Sequence, residues 1–200
     1  MIRGYYFITD SKLSRVGNVR DVKAALSANV KVVQYREKNR STIEMYNEAL
    51  SLRKICKKIN FLINDRIDIA LAVDADGVHI GNDDVPFPVA RKLLGKKKII
   101  GVTAHNIDEA LKAQRLGADY ISISPIFATK TKADAGRPTG VELIRQIRKH
   151  IRIPIIAIGG ITLFNAGKVI DAGADGLCAI SAVVTKCDVK AEIEKFQALF

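Results

Sequence analysis

The chain has 200 residues, a net charge of +11 and 48% hydrophobic residues. That is enough apolar material for one sizeable core, and we expect residues 1–200 to form a single domain without a linker. No apolar run approaches the roughly 20 residues that span a bilayer, and the start of the chain lacks a signal-peptide pattern. We therefore expect a cytoplasmic protein with no membrane partner.

The basic residues are scattered along the chain, and the longest run is only Lys96-Lys97-Lys98. A nucleic-acid-binding protein would gather its bases on one face, with aromatic side chains for stacking, and this chain has no Trp. We therefore expect no nucleic-acid partner. Most of the bases are typical of solvated helix faces, and a few are suited to attract phosphorylated substrates.

Three cysteines, Cys56, Cys178 and Cys187, lack the spacing of metal ligands and are odd in number. They lie in apolar or helical segments, and we predict reduced thiols in the core rather than disulfides.

Short β-branched runs recur at regular spacing, and helical periodicity fills the segments between them, most clearly at 43–59, 107–118 and 189–200. Eight strands are predicted, at 5–9, 31–36, 61–64, 77–80, 99–103, 120–124, 153–158 and 176–180. Mostly apolar strands that alternate with helices predict an α/β fold, a closed (β/α)8 TIM barrel.

Acidic residues concentrate at 64–84, in contrast with the basic character of the whole chain. Asp76, Asp119 and Asp175 each precede a predicted strand, two of them in a Gly-Ala-Asp turn, so we assign them to the floor of the barrel, away from chemistry. Asp74 is interpreted as a turn residue and Asp68 as a helix-surface charge. Asp65, Asp83 and Asp84 then need another explanation.

Active sites of such barrels lie at the carboxyl ends of the strands. After predicted strand 2, alternation places Gln34, Arg36 and Lys38 on one side and Tyr35 and Glu37 on the other. An amide, a guanidinium and an ammonium suit a polyphosphate. We predict substrate binding by the whole segment 34–38, although solvated bases at an exposed strand end would give the same pattern.

Acids follow two neighbouring predicted strands, at Asn64-Asp65 and at Asp83-Asp84. Adjacent strand ends lie about 4.8 Å apart, so carboxylates there can share one ion. Mg²⁺ takes one or two carboxylates together with phosphate oxygens and water. We predict Mg²⁺ as the cofactor, with Asp65 and Asp84 as its ligands. The alternative is that Asp83 and Asp84 only cap a helix that begins near Pro86.

Predicted strand 5 is followed by His105, either a general base or a structural histidine. After predicted strand 6, an unusually long segment contains Thr129, Lys130, Thr131 and Lys132. Hydroxyls interleaved with lysines suggest a phosphate clamp, and we expect the loop 125–139 to close over ligand. A merely solvated loop is the alternative.

The last two predicted strands lead into Gly159-Gly160 and into Ile180-Ser181. These are the common phosphate-binding loops of the fold, where glycines expose backbone N–H groups to an anion. The sequence therefore predicts two phosphate-binding regions, one with a metal and one without. Either two phosphorylated ligands or one ligand with phosphates at both ends would fit.

Nearly the whole chain resembles the thiamine-phosphate synthase family, through YYFITD, QYREK, NDR, GVHIGNDD, GVTAH, PIFATKTK, PIIAIGGI and GADGLCAIS. The resemblance implies a TIM-barrel enzyme that joins hydroxymethylpyrimidine diphosphate to thiazole phosphate and releases diphosphate with Mg²⁺. It implies pyrimidine-diphosphate contacts at Gln34, Arg36, Lys38, Asn64 and Lys132, metal ligands at Asp65 and Asp84, and thiazole-phosphate contacts at Thr129, Thr131, Gly160, Ile180 and Ser181.

Two positions depart from the family pattern: Thr103 stands where Ser is usual, and Asn82 stands where Gln is usual. Neither change removes a charge or a metal ligand. Thr103 keeps the hydroxyl, and we count it with Arg36, Lys38 and Lys132 among the predicted catalytic residues.

Two other functions remain alternatives. A thiazole tautomerase of the related barrel family would use a histidine at the place of His105, but such proteins tend to lack the acids at Asp65 and Asp84. A non-catalytic barrel that binds phosphate or nucleic acid is the second, and the sequence leaves a homo-oligomer open.

Overall fold

The computed structural model describes residues 2–129, 131 and 136–200. Within these residues, nine strands join in one parallel sheet. The strands are β1 (Gly4–Tyr5), β2 (Phe7–Ile8), β3 (Val32–Tyr35), β4 (Asn60–Asn64), β5 (Gly77–Ile80), β6 (Ile99–Ala104), β7 (Tyr120–Ile123), β8 (Ile155–Ile158) and β9 (Gly176–Cys178).

The sheet closes on itself through its first strand. β1 pairs with β9 and β2 pairs with β3. Tyr6, between them, donates its backbone N–H to the Leu177 carbonyl at 2.9 Å. The predicted (β/α)8 barrel is confirmed. The prediction of one unbroken strand at 5–9 is wrong, because the backbone changes its pairing partner from β9 to β3 across Tyr6.

The described residues form nine helices around the sheet. They are α1 (Asn18–Ser27), α2 (Thr42–Ile55), α3 (Ile67–Ala72), α4 (Phe87–Leu94), α5 (Ile107–Leu116), α6 (Gly140–Arg148), α7 (Leu163–Asp171), α8 (Ile180–Val184) and α9 (Val189–Gln197). None of these described helices has the length and apolar character to cross a membrane.

The three predicted helices extend beyond their observed ends, and the pattern at 189–200 gives α9, which ends at Gln197. The pattern at 43–59 gives α2, which begins after a capping box of Ser41 and Glu44 and ends at Ile55. The pattern at 107–118 gives α5, which ends at Leu116 because Gly117 takes the left-handed conformation, with φ of 86°.

Alternate strand residues face opposite sides of the sheet and form two apolar layers. Phe7, Phe61 and Ile121 belong to the larger layer, which packs under the helices. Tyr6, Tyr120 and their neighbours form a smaller cluster inside the barrel. This inner layer supports the side chains that open at the carboxyl ends of the strands.

The cysteine prediction holds in part. Cys56 and Cys178 are buried and reduced, whereas Cys187 is reduced but exposed. The expectation of a core thiol is wrong for Cys187, because the residue lies in the turn between α8 and α9 and not on a packed face.

Three aspartates form a repeated arrangement at the floor, where the strands begin. Each precedes a strand, accepts a backbone N–H from the strand beside it, and pairs with an arginine from a helix. The partners of Asp76 are Phe61 and Arg53, those of Asp119 are Ile100 and Arg91, and those of Asp175 are Ile155 and Arg148. The assignment of these aspartates to the floor is confirmed.

Candidate active site

One cavity of about 320 Å³ opens at the carboxyl ends of the strands. The structure brings together there the side chains or backbone of residues that lie in or after the last residues of seven different predicted strands, near their carboxyl ends. These are Gln34, Asp65, Asp84, Thr103, Thr129, Gly160 and Ser181. Their common location was expected from the barrel, and their roles in binding and catalysis stay predictions.

The basic side of the cavity is built at the end of β3. Gln34, Arg36 and Lys38 all line it, as alternation predicts. Asp10, which follows β2 in the loop to α1, holds the Arg36 guanidinium, with 3.8 Å between Oδ2 and Nη1. This partner was not predicted from the sequence, because it follows a different strand.

Tyr35 and Glu37 do not lie with the cavity-lining residues. Tyr35 is fully buried under α2 and donates its hydroxyl to Glu48 Oε2 at 2.9 Å. Glu37 accepts the Ser11 hydroxyl at 2.6 Å and the backbone N–H of Lys38 at 2.8 Å. Neither side chain lines the cavity, since Tyr35 packs under α2 and Glu37 is bound by loop residues; their assignment to substrate binding stays a prediction.

Asp65 and Asp84 meet at the mouth beside Lys38. The Lys38 ammonium pairs with Asp65, and Asp84 Oδ2 accepts the Gly81 N–H at 2.7 Å. Burial raises the pKa of Asp84, and the nearby Asp65 carboxylate raises it further. Pro86 occupies the N-cap of α4 and no side chain caps that helix. The alternative that Asp83 or Asp84 serves as a helix cap is therefore wrong.

This pair of carboxylates fits Mg²⁺. Two acids that repel each other gain from a cation between them, and Mg²⁺ takes its other ligands from phosphate and water. The described part of the chain contains no group of three His, Cys, Asp or Glu side chains that could hold a metal. An ion held by these two carboxylates would therefore take its remaining ligands from outside the protein.

The opposite side of the cavity is formed by glycine backbone. Gly159 and Gly160 have φ of 100° and 63°. A Cβ on Gly160 would lie 2.5 Å from the Ala128 carbonyl oxygen, so the missing side chain lets the segment after β7 pack against this turn. Ile180 and Ser181, at the start of α8, lie beside it.

Thr129 and Thr131 also line the cavity, and the Thr131 N–H donates to Thr129 Oγ1 at 3.2 Å. Lys130 and Lys132 lie outside the described residues, together with 133–135 of the loop 125–139 that is predicted to close. The role of the two lysines and the closure of the loop both stay predictions.

His105 lies at the rim. Its Nδ1 is 3.1 Å from Glu109 Oε2 and 3.4 Å from Asn82 Nδ2. Glu109 therefore orients the imidazole, and Asn82, one of the two departures from the family pattern, reaches the same nitrogen. The side chain is 46% exposed, so the ring is open to solvent and to the cavity.

Sequence reasoning missed several residues that line the cavity, among them His79, Ser122 and Cys178. All three lie within strands, at inward positions, and not after the strand ends. Applying the period-2 alternation through the whole of each predicted strand would have identified His79 and Ser122 as polar side chains inside the barrel.

Comparison with known proteins agrees with this geometry. The family model described as thiamine monophosphate synthase matches residues 5–183. A thiamine-phosphate synthase from Methanosarcina mazei is 55% identical over 193 residues, 96% of this chain and 80% of that protein. One from Chloroflexus aurantiacus is 52% identical over 197 residues, 97% of this chain and 91% of that protein.

The structural comparison gives the same result. A thiamine phosphate pyrophosphorylase from Pyrococcus furiosus superposes with a TM-score of 0.89 at 39% identity, covering 98% of this chain and 94% of that one. With a family model that spans most of the chain and relatives above 50% identity, this chain belongs to the thiamine monophosphate synthase family.

Proposed function

We propose that this chain is a thiamine-phosphate synthase, a transferase of thiamine biosynthesis. It couples 4-amino-5-hydroxymethyl-2-methylpyrimidine diphosphate to thiazole phosphate and releases diphosphate. The observation that carries the proposal is that one cavity combines bases after β3, acids after β4 and β5, and a glycine turn after β8. Such a cavity accepts two phosphorylated ligands from opposite sides.

Arg36, Lys38 and Lys132 stabilise the diphosphate as its bond to the pyrimidine methylene breaks. Arg36 is suited to this role because Asp10 fixes its guanidinium at the mouth. The substitution is dissociative: the aminopyrimidine delocalises the positive charge on the methylene carbon, so no protein nucleophile is needed. The thiazole nitrogen then forms the new bond to that carbon.

Asp65 and Asp84 hold Mg²⁺ in this proposal. When bound, Mg²⁺ neutralises charge that develops on the departing diphosphate. Lys38 already pairs with Asp65, so the same ammonium can pass between carboxylate and phosphate oxygens as the substrate enters. Burial and the nearby Asp65 raise the pKa of Asp84. A cation between the two carboxylates would lower that pKa again, because it favours the charged form.

The two substrates occupy different parts of the cavity. Gln34, Asn64 and Thr103 contact the pyrimidine, toward the barrel interior. The thiazole phosphate lies on the glycine turn and its neighbours, which are Thr129, Thr131, Gly160, Ile180 and Ser181. Both partners are small molecules, and the reaction takes place in the cytoplasm without nucleic acid or membrane. Holding both reactants in one cavity supplies much of the rate enhancement.

A coupling assay tests the proposal. Purified protein is incubated with both substrates, with Mg²⁺ and with excess chelator, and thiamine phosphate and diphosphate are quantified. We expect equimolar products that require Mg²⁺. No product with Mg²⁺ present contradicts the activity, and equal turnover in chelator contradicts the metal assignment.

The His105–Glu109 pair favours one second candidate, a thiazole tautomerase. An imidazole held by a carboxylate can move a proton on a bound thiazole without a metal. Isomerisation of thiazole phosphate in chelator, lost in His105→Asn, would favour this function. A non-catalytic phosphate- or nucleic-acid-binding barrel would instead show binding that weakens steeply with salt and no turnover.

A further inference from the structure

A continuous row of hydrogen bonds crosses the inside of the barrel beneath the cavity. Gln34 Nε2 donates to the Tyr6 hydroxyl at 2.8 Å, and the hydroxyls of Tyr6 and Tyr120 are 2.8 Å apart. The Tyr120 hydroxyl is 2.9 Å from His79 Nδ1, and His79 Nε2 is 2.9 Å from Thr103 Oγ1. Two of the cavity's predicted pyrimidine contacts, Gln34 and Thr103, are therefore the two ends of one network.

The row has a direction. A phenol has one proton to donate. When Tyr6 accepts a hydrogen bond from the Gln34 amide, its own hydroxyl is therefore left to donate a hydrogen bond to the Tyr120 oxygen. Tyr120 then donates to Nδ1 of His79. For both tyrosine hydroxyls to donate, Nδ1 of His79 must accept a hydrogen bond. The ring proton then lies on Nε2, which donates to Thr103 Oγ1. Burial raises the pKa of Tyr6 and of Tyr120, which keeps both phenols protonated.

The direction decides what each end offers to the cavity. With Nε2 of Gln34 engaged by Tyr6, its carbonyl oxygen is left as an acceptor. With Thr103 Oγ1 accepting from His79, its hydroxyl proton is left as a donor. Ser122 supports the acceptor role of Thr103 Oγ1, because the Ser122 hydroxyl also donates to that oxygen at 3.3 Å. The same hydroxyl lies 3.2 Å from His79 Nε2.

An aminopyrimidine edge presents an N–H donor next to a ring-nitrogen acceptor. The 4-oxo analogue presents the reverse, an oxygen acceptor next to an N–H donor. We propose that Tyr6, Tyr120 and His79 are positioning residues that fix the hydrogen-bond direction of Gln34 and Thr103, and so select the 4-aminopyrimidine over the 4-oxopyrimidine. This inference rests on the proposed function and specifies its substrate class.

Reversing the row is costly because its members must change together. The Gln34 amide must rotate, two buried hydroxyls must turn and the imidazole proton must move to Nδ1. Hydrogen bonds in a chain polarise one another, which strengthens the existing direction. If one hydroxyl of the row is removed, the Gln34 amide can rotate without the whole row reversing. The cavity then binds the 4-oxopyrimidine ring better than it does in the parent.

The backbone is adapted to this row at Gly101. In the sheet register, Gly101 lies between His79 and Tyr120. A Cβ at Gly101 would lie 2.0 Å from Cζ of Tyr120, so only glycine lets the phenol cross to the imidazole. The two rings stack with centroids 5.5 Å apart. The sequence thus leaves this space open for the contact on which the direction depends.

The test compares kcat/KM for the aminopyrimidine diphosphate and for its 4-oxo analogue, with thiazole phosphate saturating. The variants are Tyr6→Phe and Tyr120→Phe, each of which removes one hydroxyl and keeps the ring. We expect the parent to prefer the amino substrate, and each variant to lower that preference about tenfold or more. The double variant should lower it no further, because one break already uncouples the ends.

Tyr5→Phe is the matched control. Tyr5 is the neighbouring buried tyrosine and donates to the Ala179 carbonyl at 3.2 Å, outside the row. Its variant should keep the parent preference whatever it does to stability. Equal loss toward both substrates in the two test variants would mean a purely structural role and overturn the inference, as would a parent without preference. If one variant does not fold, the other decides. A parent that couples neither substrate overturns the proposed function itself.

Discussion

Aspartates at the two ends of the barrel differ in how many hydrogen-bond donors surround them. At the floor, Asp175 accepts the Ile155 N–H at 2.8 Å and the Arg148 guanidinium at 3.2 Å. At the mouth, Asp84 accepts one backbone N–H and faces Asp65. A carboxylate whose oxygens are already bound fixes the chain, whereas two carboxylates that face each other favour a cation. The number of hydrogen-bond donors around an aspartate, more than the number of acids in its segment, distinguishes a structural aspartate from a candidate functional one.

The largest expected effect is at the mouth. Asp65→Asn and Asp84→Asn each remove one charge and keep the shape, so we expect Mg²⁺-dependent kcat to fall about 10²-fold or more. The melting temperature should hold or rise, since repulsion between the two acids is relieved. Binding of thiazole phosphate alone, measured by calorimetry, should barely change, because its site lies on the glycine turn.

Asp83→Asn is the control for these variants. Asp83 is the neighbouring exposed acid, and it makes no hydrogen bond or ion pair among the described residues. We expect it to retain turnover. Equal losses in Asp83→Asn, or near-full activity in Asp65→Asn and Asp84→Asn, would show that the metal is assigned to the wrong acids.

At the floor, the expected effect is on stability. Asp175→Ala leaves the Ile155 N–H buried without its acceptor and should lower the free energy of unfolding by about 1–3 kcal/mol. Urea denaturation measures the loss, and kcat and KM should stay at parent values. Arg148→Gln should cost less, since the strand N–H keeps its carboxylate. If Asp175→Ala changed KM as well as the free energy of unfolding, the structural role of the floor would not be separate from the function of the mouth.

The sequence predicted these two ends to different extents. The turns before Asp76, Asp119 and Asp175 repeat along the chain, so local pattern was enough to place them at the floor. Their arginine partners were not predicted, because Arg53, for example, is 23 residues from Asp76.

Likewise, alternation after the strand ends predicted Gln34, Arg36 and Lys38 at the mouth, because a parallel barrel brings all carboxyl ends together. The row from Tyr6 to Tyr120 spans 114 residues. It depends on which inward positions meet across the barrel, and therefore on the strand register. The break at Tyr6 depends on the same register, since Tyr5 and the Tyr6 N–H pair with β9 while Phe7 and Ile8 pair with β3.

A smaller effect is expected at Glu37, a mouth carboxylate with the surroundings of a floor one. Burial acts to raise the pKa of Glu37, but the Ser11 hydroxyl and the N–H groups of Asn39 and Lys38 outweigh it and the pKa is lowered. Because the pKa is lowered, the Glu37 carboxylate stabilises the folded state at pH values above its unfolded pKa of 4.5. This stabilisation is lost as the pH falls through the pKa of the folded state.

Glu37→Gln should therefore lower the free energy of unfolding by about 1 kcal/mol at pH 7, because one oxygen still accepts an N–H. It should also flatten the acid side of the stability curve. The KM for pyrimidine diphosphate should rise, since the loop that carries Lys38 is loosened. An unchanged acid slope, measured by urea denaturation between pH 3 and pH 7, would contradict this role.

The smallest effect is expected at a floor aspartate that is not buried. The side chain of Asp74 is 85% exposed and pairs with Lys98 Nζ at 2.6 Å, which lowers its pKa. Asp74→Asn should leave the melting temperature unchanged at physiological salt, because exposed pairs are screened and Lys98 keeps the Ala75 carbonyl at 2.7 Å. The left-handed backbone at this position, with φ of 49°, suits Asn as well as Asp. A loss as large as that of Asp175→Ala would mean that position at the floor, and not the number of buried donors, makes an aspartate structural.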